Sequence, residues 1–417
     1  MHRLAPLAQQ LRPAGSANEI ATVHGRATLT VAAERPTVAY ADGRAGPDGA
    51  AALYSVDEEI VFVVRLDGFS APAGGRRMPP TVAWTLSNDG VEPITRGTAL
   101  VDRDGRAPIK GSLAFPGVLQ CVVSWEHGAS ELTAMAAATV EPTKIPAALP
   151  VPDDFDEFWD AQKAELAEVE PSTTLRPVPS PLEGVDCFDV RAECAGGAPV
   201  SGYLARPSSG SPGGGGLPGL VLVHGAGVRS ADLTPASDHD FHRSGTHGVE
   251  PNHLSTTEWA AEGTLALNIN AHGVENGREA AYYEALGASG RYAVQLGRES
   301  KETSAFRGMF LRLLRAVDVL TDQPEWDGKT VAVIGVSQGG LQALALAGLD
   351  ERITFFSAGV AAGCDHAAAV ATPPRVPGWP KLLAGLEGEE EDAAREASRF
   401  ASSNRQLISS PTRSNCS

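Results

Sequence analysis

The sequence feature that most constrains the fold is a strand, a tight turn and a helix in immediate succession over residues 330–348. Residues 331–336 are apolar, uncharged and rich in β-branched side chains, which is typical of a strand buried on both faces of a parallel sheet. Residues 341–349 are rich in leucine and alanine, which favour a helix. The turn between them reads G-V-S-Q-G, and its two glycines leave room for the chain to reverse and raise Ser337 above the sheet edge.

The five-residue pattern is a weak indication by itself, since a chain with 45 glycines in 417 residues contains it by chance about 0.3 times. The buried strand before it and the small-residue helix after it exclude most chance matches. The alternative is an ordinary glycine-rich turn with a serine that faces solvent. We interpret Ser337 as a nucleophile.

The composition limits the partners, because 51 acidic and 34 basic side chains give a formal net charge of −17. This charge repels phosphate, so it argues against nucleic acid or an anionic membrane and fits a small neutral substrate. Residues 1–18 lack the apolar core of a signal peptide, and no stretch approaches the roughly 20 apolar residues of a membrane span. We expect a soluble chain without a visible export signal, unless the true start lies elsewhere.

The texture of the chain divides it into two domains. Residues 1–18 are predicted to be a disordered lead-in, and 19–143 an immunoglobulin-like (Ig-like) β-sandwich, because short β-type runs alternate with turns such as Asn88-Asp89-Gly90. Residues 144–152 contain repeated prolines and are predicted to be an extended linker. The second domain is predicted to cover residues 153–417. The runs predicted as strands of the sandwich are 27–32, 59–65, 81–86, 111–115 and 119–125.

The second domain begins with an acidic, aromatic helix over residues 153–168. An aromatic stripe at helical spacing is more often core than a ligand site, so we assign it to the core. The side chains on this stripe are Phe155, Phe158, Trp159, Gln162 and Leu166.

Strands and helices then alternate, which predicts a doubly wound, mostly parallel sheet. A hairpin over 187–192 and 200–206 comes first. A helix over 306–320 is expected to keep Arg307, Arg312 and Arg315 on its outer face. The strands expected to be parallel cover 220–223, 265–269, 331–336 and 353–360. Four histidines within 239–253 have irregular spacings, which favours a solvated loop over a metal site.

Ligands bind at the carboxyl ends of the strands in such a sheet, where four loops meet: 224–230, 270–277, 337–340 and 363–366. A serine nucleophile needs a histidine base, an acid that orients the histidine, and backbone donors for the oxyanion. The N–H of Gln338 is one expected donor, and Gly225 or Ala226 supplies the other.

The second domain resembles the acetyl xylan esterase/cephalosporin C deacetylase family of α/β-hydrolases. The resemblance rests on D-F-D-E-F-W at 154–159, the strand and glycine-rich loop ending in Arg229, G-V-S-Q-G-G at 335–340 and Cys364-Asp365. It implies an α/β-hydrolase fold that removes acetyl groups from acetylated sugars or similar small esters through Ser337, with no metal and no organic cofactor.

Two departures from the family pattern stand out. The usual Arg-Gly-Gln is replaced by His272-Gly273-Val274, and His366 is the only histidine after Ser337. The family places its aspartate and histidine beyond residue 417, so 153–417 is expected to lack the last strands, with a premature stop or frameshift as the preferred explanation. His224, His272, Asp365 and His366 are then candidate pocket residues and surrogate partners of the serine.

The expected substrate is therefore a small acetylated carbohydrate or ester. We expect neither nucleic acid nor a membrane as a partner, and the sequence leaves open whether the chain forms a homo-oligomer. With the usual acid and base absent, activity is in question. The alternative function is a non-catalytic protein that binds a glycan or a partner and carries a vestigial hydrolase domain.

Overall fold

The computed structural model describes residues 22–24, 27–33, 54–67, 79–127, 130–210, 215–233 and 255–401. Two compact units contain them, the first built mainly from residues up to Pro146 and the second mainly from Ala147 onward. The predicted lead-in at 1–18, the four histidines and the C-terminal stretch lie outside the described residues. The exact domain boundaries stay a prediction.

The first unit is all β in its described part, apart from a 3₁₀ turn over Pro142–Lys144. Its sheets have the strand orders β1-β2-β3-β6 and β5-β4-β7-β8. The strands are β1 Thr22–His24, β2 Ala27–Ala33, β3 Ile60–Asp67, β4 Thr81–Asn88, β5 Glu92–Leu100, β6 Arg106–Gly111, β7 Gly117–His127 and β8 Ser130–Val140.

Both sheets are antiparallel and share one apolar core, to which Leu29 and Phe62 contribute from one sheet and Leu86 and Val123 from the other. Alternation of buried and exposed residues along β3 fits a sheet with one face in the core. The Asn88-Asp89-Gly90 turn is confirmed, with positive φ at Asp89 and Gly90.

Strand prediction was less accurate at the edges of this unit. The strand predicted over 111–115 was wrong, because β6 ends at Gly111, where the predicted strand begins. A Cβ at Gly111 would lie 2.4 Å from Leu86 Cδ1. Strand β5 was missed because it carries mostly exposed residues and no apolar alternation. Strand β8 was missed because its alanine-rich sequence has weak β propensity.

The second unit alternates helices and strands around a seven-stranded sheet. Its strands are β9 Thr174–Val178, β10 Val185–Ala192, β11 Val200–Pro207, β12 Leu217–Val223, β13 Leu265–Ile269, β14 Trp326–Val336 and β15 Phe355–Gly359. Its helices are α1 Phe155–Ala167, α2 Thr256–Ala261, α3 Ala280–Ala288, α4 Ala305–Thr321, α5 Gln338–Leu349 and α6 Gly388–Ser398, with a 3₁₀ turn over Ala368–Val370.

The sheet has the order β15-β14-β12-β13-β11-β10-β9, and it is mixed rather than mostly parallel. The three pairings from β15 to β13 are parallel, as predicted. The three pairings from β13 to β9 are antiparallel. The predicted hairpin accounts for one of these three pairings, between β10 and β11, since strands joined by a short connection run in opposite directions.

Helices α1, α4 and α5 pack in the larger core, and the predicted aromatic stripe of α1 is confirmed as buried. Phe310 of α4 lies in this core with its ring 5.8 Å from that of Trp159. Helix α2 belongs to a second cluster, in which Ala260 packs with Val185, Cys187 and Ala205.

The outward orientation predicted for two arginines of α4 is wrong. Arg312 and Arg315 are buried, because carbonyl oxygens accept their N–H groups inside the unit. Arg315 donates to Leu166 O at 2.5 Å and to Val169 O at 2.7 Å, where the carboxyl end of α1 attracts a cation. Across the described part of the chain, no helix combines the length and apolarity that a membrane crossing requires.

Candidate active site

Ser337 stands between β14 and α5 in a strained backbone conformation. Its φ is 59° and its ψ is −120°, a region that residues other than glycine seldom adopt and that costs about 1–3 kcal/mol. Surrounding hydrogen bonds hold it there, since Ser337 N donates to Gly359 O at 2.9 Å and Ala362 N donates to Ser337 O at 3.0 Å. Strain maintained in this way is a common mark of a functional residue.

The glycines on either side of Ser337 are required by close backbone contacts. A Cβ at Gly335 would lie 2.2 Å from Gly339 O, and a Cβ at Gly339 would lie 2.4 Å from Val223 O. No larger residue fits at either position without moving the backbone. The G-x-S-x-G pattern therefore follows here from the close approach of β14, β12 and the first turn of α5.

The glycine loop, residues 224–231, lies beside the serine. A Cβ at Gly225 would be 3.8 Å from Ser337 Cβ, so Gly225 and Ser337 are neighbours. The chain leaves β12 toward β13 on one side and leaves β14 toward β15 on the other. The two loops thus flank the point where the winding direction changes, which is where open α/β sheets bind ligands.

Gln338 follows Ser337 directly and begins helix α5, so its backbone N–H lies next to the serine. Its N–H is in the first turn of α5, where intrahelical acceptors are lacking. Its side chain is fully buried, with Nε2 3.7 Å from Met309 Sδ. The backbone N–H, and not the carboxamide, is therefore the group that can face a ligand at Ser337.

The ring of His224 holds the start of the glycine loop in place. Its Nδ1–H donates to Gly225 O at 2.6 Å, and its Nε2 accepts from Ala271 N at 3.3 Å. Burial, together with the charge of Arg229, lowers the pKa of His224 to about 3. His224 is thus a neutral structural link between the loops that follow β12 and β13.

His272 lies in the second of these loops. Its ring packs edge-on against Tyr292, with 5.4 Å between the ring centroids. Burial and the charge of Arg312 lower its pKa to about 4. Arg312 also donates to Ala271 O from Nε at 3.0 Å and from Nη2 at 2.7 Å, which fixes the backbone just before His272.

Asp365 and His366 follow β15 on the same rim. Asp365 has a φ of 51°, and its Oδ1 accepts from Ala148 N at 3.2 Å. His366 is 2% exposed, and its ring packs against Phe306 with 6.2 Å between the centroids. Both ring nitrogens of His366 are buried without a hydrogen-bond partner.

Replacing His366 with phenylalanine is expected to stabilise the fold and to flatten its response to acid. Burial lowers the pKa of His366 from 6.5 to about 4, although Asp365 acts in the opposite direction. Between about pH 6.5 and about pH 4, His366 is therefore protonated in the unfolded chain and mostly neutral in the folded chain. The free energy of unfolding falls as the pH drops through this range. Between pH 7 and pH 5, we expect the wild type to lose about 2 kcal/mol more than the variant.

Urea unfolding of both proteins at pH 7, 6 and 5 checks this expectation. Two parallel curves of unfolding free energy against pH would contradict it, since they would mean that His366 titrates alike in the folded and unfolded chains.

No histidine in the described part of the chain is hydrogen-bonded to Ser337 Oγ. The Oγ of Ser337 makes no hydrogen bond to any described residue, and His224 already uses both ring nitrogens. Within the same residues, no group of three or more His, Cys, Asp or Glu side chains could hold a metal ion.

Sequence reasoning missed two asparagines of this site. Asn270 is fully buried and bonds both N–H and O of Val274 through its side chain, at 3.0 and 2.8 Å. Asn276 bonds Asn270 and the glycine loop. The sequence signal was that Asn270 directly follows a buried strand and that both residues lie in the loop 270–277, and the Asn276-Gly277 pair was indistinguishable from an ordinary turn.

A mixed α/β unit that carries a strained serine on a strand–turn–helix is typical of serine hydrolases. Residues 143–372 match the family model for acetyl xylan esterase (AXE1), which is more than half of the chain. The chain belongs to the acetyl xylan esterase family.

Three relatives illustrate the similarity. The acetyl esterase Axe7A of Xylanibacter ruminicola is 25% identical over 278 residues, which are 66% of this chain and 57% of that protein. The acetyl xylan esterase of Paenibacillus sp. R4 is 24% identical with a TM-score of 0.47, covering 62% of this chain and 77% of that chain. Acetyl xylan esterase 1 of Thermoanaerobacterium sp. JW/SL YS485 is 19% identical with a TM-score of 0.44, covering 63% and 76%. The chain spans little more than half of the curated relative's length.

Proposed function

We propose that the protein hydrolyses small acetyl esters, with acetylated carbohydrates as its substrates and Ser337 as its nucleophile. One observation carries the proposal: Ser337 is held at a φ of 59° between two glycines that admit no side chain. This backbone strain lowers the stability of the fold, and its retention is explained if it presents the Ser337 hydroxyl to a substrate. Membership of the acetyl xylan esterase family supports the acetyl group as the part that is removed.

In the proposed reaction, Ser337 Oγ attacks the carbonyl carbon of the acetyl group and loses its proton to a base. The tetrahedral intermediate collapses, the ester bond breaks, and the sugar leaves with a proton as the free alcohol. Water then attacks the acetyl-enzyme, which releases acetate and restores the hydroxyl of Ser337. We assign the base to none of His224, His272 and His366, because none of them is hydrogen-bonded to Ser337 Oγ among the described residues.

We propose that two backbone N–H donors stabilise the negative charge on the oxygen of the tetrahedral intermediate. The Gln338 N–H at the start of α5 is one, and helix geometry adds the favourable end of the helix dipole. The glycine loop supplies the other from Gly225 or Ala226, and the adjacency of Gly225 to Ser337 supports this assignment. His272, Asp365 and His366 are proposed to line the same rim without taking part in proton transfer.

The finer description of the fold is part of the proposal. We assign the second unit to the doubly wound α/β-hydrolase fold, because neighbouring residues of β11, Leu204 and Ala205, belong to different core clusters that contain different helices. We assign the first unit to an Ig-like sandwich, because two antiparallel sheets share its core.

Release of acetate from acetylated xylo-oligosaccharides tests the substrate class. We expect faster release from these than from the matching butyryl esters, and slower hydrolysis of p-nitrophenyl butyrate than of p-nitrophenyl acetate. Equal rates for both acyl groups would count against an acetyl-specific enzyme.

The non-catalytic alternative is favoured because no described imidazole is hydrogen-bonded to Ser337 Oγ. It predicts a folded protein that binds acetylated xylo-oligosaccharides in calorimetry and releases no acetate from them. Acetate release that disappears in Ser337→Ala would exclude it.

A further inference from the structure

We propose that Asn276 is a positioning residue that sets the glycine loop, residues 224–231, against Ser337. The inference rests on the proposed function, in which this loop supplies one of the two oxyanion donors. Asn276 lies in the loop after β13, and its side-chain hydrogen bonds go to residues other than Ser337.

The carboxamide oxygen of Asn276 anchors the far end of the glycine loop. Ala231 N donates to Asn276 Oδ1 at 3.0 Å, and Asn270 Nδ2 donates to the same oxygen at 3.0 Å. Asn270 in turn bonds both backbone groups of Val274, so the acceptor is held within the loop that carries it. A rigid acceptor fixes the position of the backbone it binds.

The amide nitrogen of Asn276 anchors the same side chain to the sheet. It donates toward Ser201 Oγ at 3.0 Å, Asp189 Oδ1 at 3.1 Å and Gly202 O at 3.2 Å. These acceptors belong to β10 and β11, which pair directly. One side chain therefore ties two loops to the antiparallel half of the sheet.

A second link runs beside the first. Gly277 N donates to Ser230 Oγ at 3.1 Å, and Ser230 belongs to the glycine loop. The start of the loop is held separately, by the ring of His224. Gly225 lies between these fixed ends and next to Ser337, so its backbone position depends on both of them.

The consequence for catalysis follows from the precision an oxyanion donor needs. Loss of one such donor costs about 10²–10³-fold in kcat, and a displacement of 1 Å costs about 10²-fold. Asn276→Ala frees one end of the loop without removing a donor. We expect kcat to fall about 10–100-fold and KM to change less than about threefold, since the substrate contacts remain.

Thr264→Val is the matched control. Its Oγ1 donates to Trp259 O at 2.7 Å in a buried site at the start of β13, the opposite end of the sheet from Ser337. Thr264→Val loses one buried hydrogen bond, whereas Asn276→Ala loses several partly buried ones, and Thr264 lies away from the glycine loop. If general loosening were the cause, both variants would lose activity in proportion to their loss of stability.

The test compares wild type, Asn276→Ala, Thr264→Val and Ser337→Ala in p-nitrophenyl acetate hydrolysis, with hydrogen exchange of the peptide covering 225–231. The expected result is a kcat loss and faster exchange in Asn276→Ala alone, with kcat and exchange of Thr264→Val close to wild type. Unchanged kcat in Asn276→Ala would overturn the inference. If wild type and Ser337→Ala hydrolyse alike, the proposed function fails, and the exchange data decide the role of Asn276: equal exchange in Asn276→Ala and wild type overturns it.

Discussion

Ser337→Ala is expected to reduce the rate of p-nitrophenyl acetate hydrolysis to that of the spontaneous reaction in buffer, a loss of about 10³-fold or more. The substitution removes the only atom proposed to form the acetyl-enzyme and leaves the rest of the site in place. The fold should be preserved, because Ser337 Oγ bonds no described residue and the backbone bonds to Gly359 and Ala362 do not involve the side chain. Initial rates at saturating ester, measured on equal amounts of folded protein, check this.

Ser289→Ala is the control for that experiment. Ser289 is an exposed serine whose Oγ bonds Leu286 O near the end of α3, outside the proposed site. It should hydrolyse the ester as fast as wild type. Activity that persists in Ser337→Ala would contradict the assignment of the nucleophile.

Gly339→Ala is expected to lower the free energy of unfolding by about 2–4 kcal/mol. The new Cβ would lie 2.4 Å from Val223 O and 3.0 Å from His224 O, and both are backbone atoms that cannot rotate away. Relief requires α5 to move from β12, which also displaces Ser337 from the glycine loop. Urea unfolding measures the loss of stability, and esterase activity should fall with it.

Gly287→Ala provides the matched glycine control. A Cβ at Gly287 in α3 meets nothing within 4 Å, so the change should stay within about 0.5 kcal/mol of wild type or stabilise the helix slightly. Equal stabilities for Gly339→Ala and Gly287→Ala would show that the turn at 335–339 tolerates a side chain, and would contradict the steric requirement for glycine at position 339.

The parts of the molecule that sequence predicted well are those with a strong local signal. Strand β14 and helix α5 could be predicted because apolar β-branched residues favour a strand and the leucine and alanine residues after them favour a helix. The core stripe of α1 was visible because its aromatic residues repeat at helical spacing. The family resemblance rested on the same stretches, and the family match covers them.

The parts that sequence missed depend on partners distant along the chain. Arg312 was expected outside because arginine usually is, but Ala271 O, 41 residues away, accepts two of its hydrogen bonds. Asn276 donates a hydrogen bond to Asp189, 87 residues away. A local pattern carries no information about such contacts, and the buried polar network of the site could not be predicted from it.

The half-parallel sheet illustrates the same limit. The hairpin of β10 and β11 was predicted, but its position beside β13 was not, because strand order is set by tertiary packing. The nucleophile itself stays a prediction that rests on backbone strain, glycine sterics and family membership.

Covalent labelling of the full-length chain with a fluorophosphonate, followed by peptide mass mapping, tests the central claim most directly. Ser337 Oγ would attack phosphorus and displace fluoride, leaving a stable adduct. We predict one adduct per chain, on the peptide that contains Ser337, and none in Ser337→Ala. A folded chain that stays unlabelled, or that carries the adduct on another residue, would contradict the account.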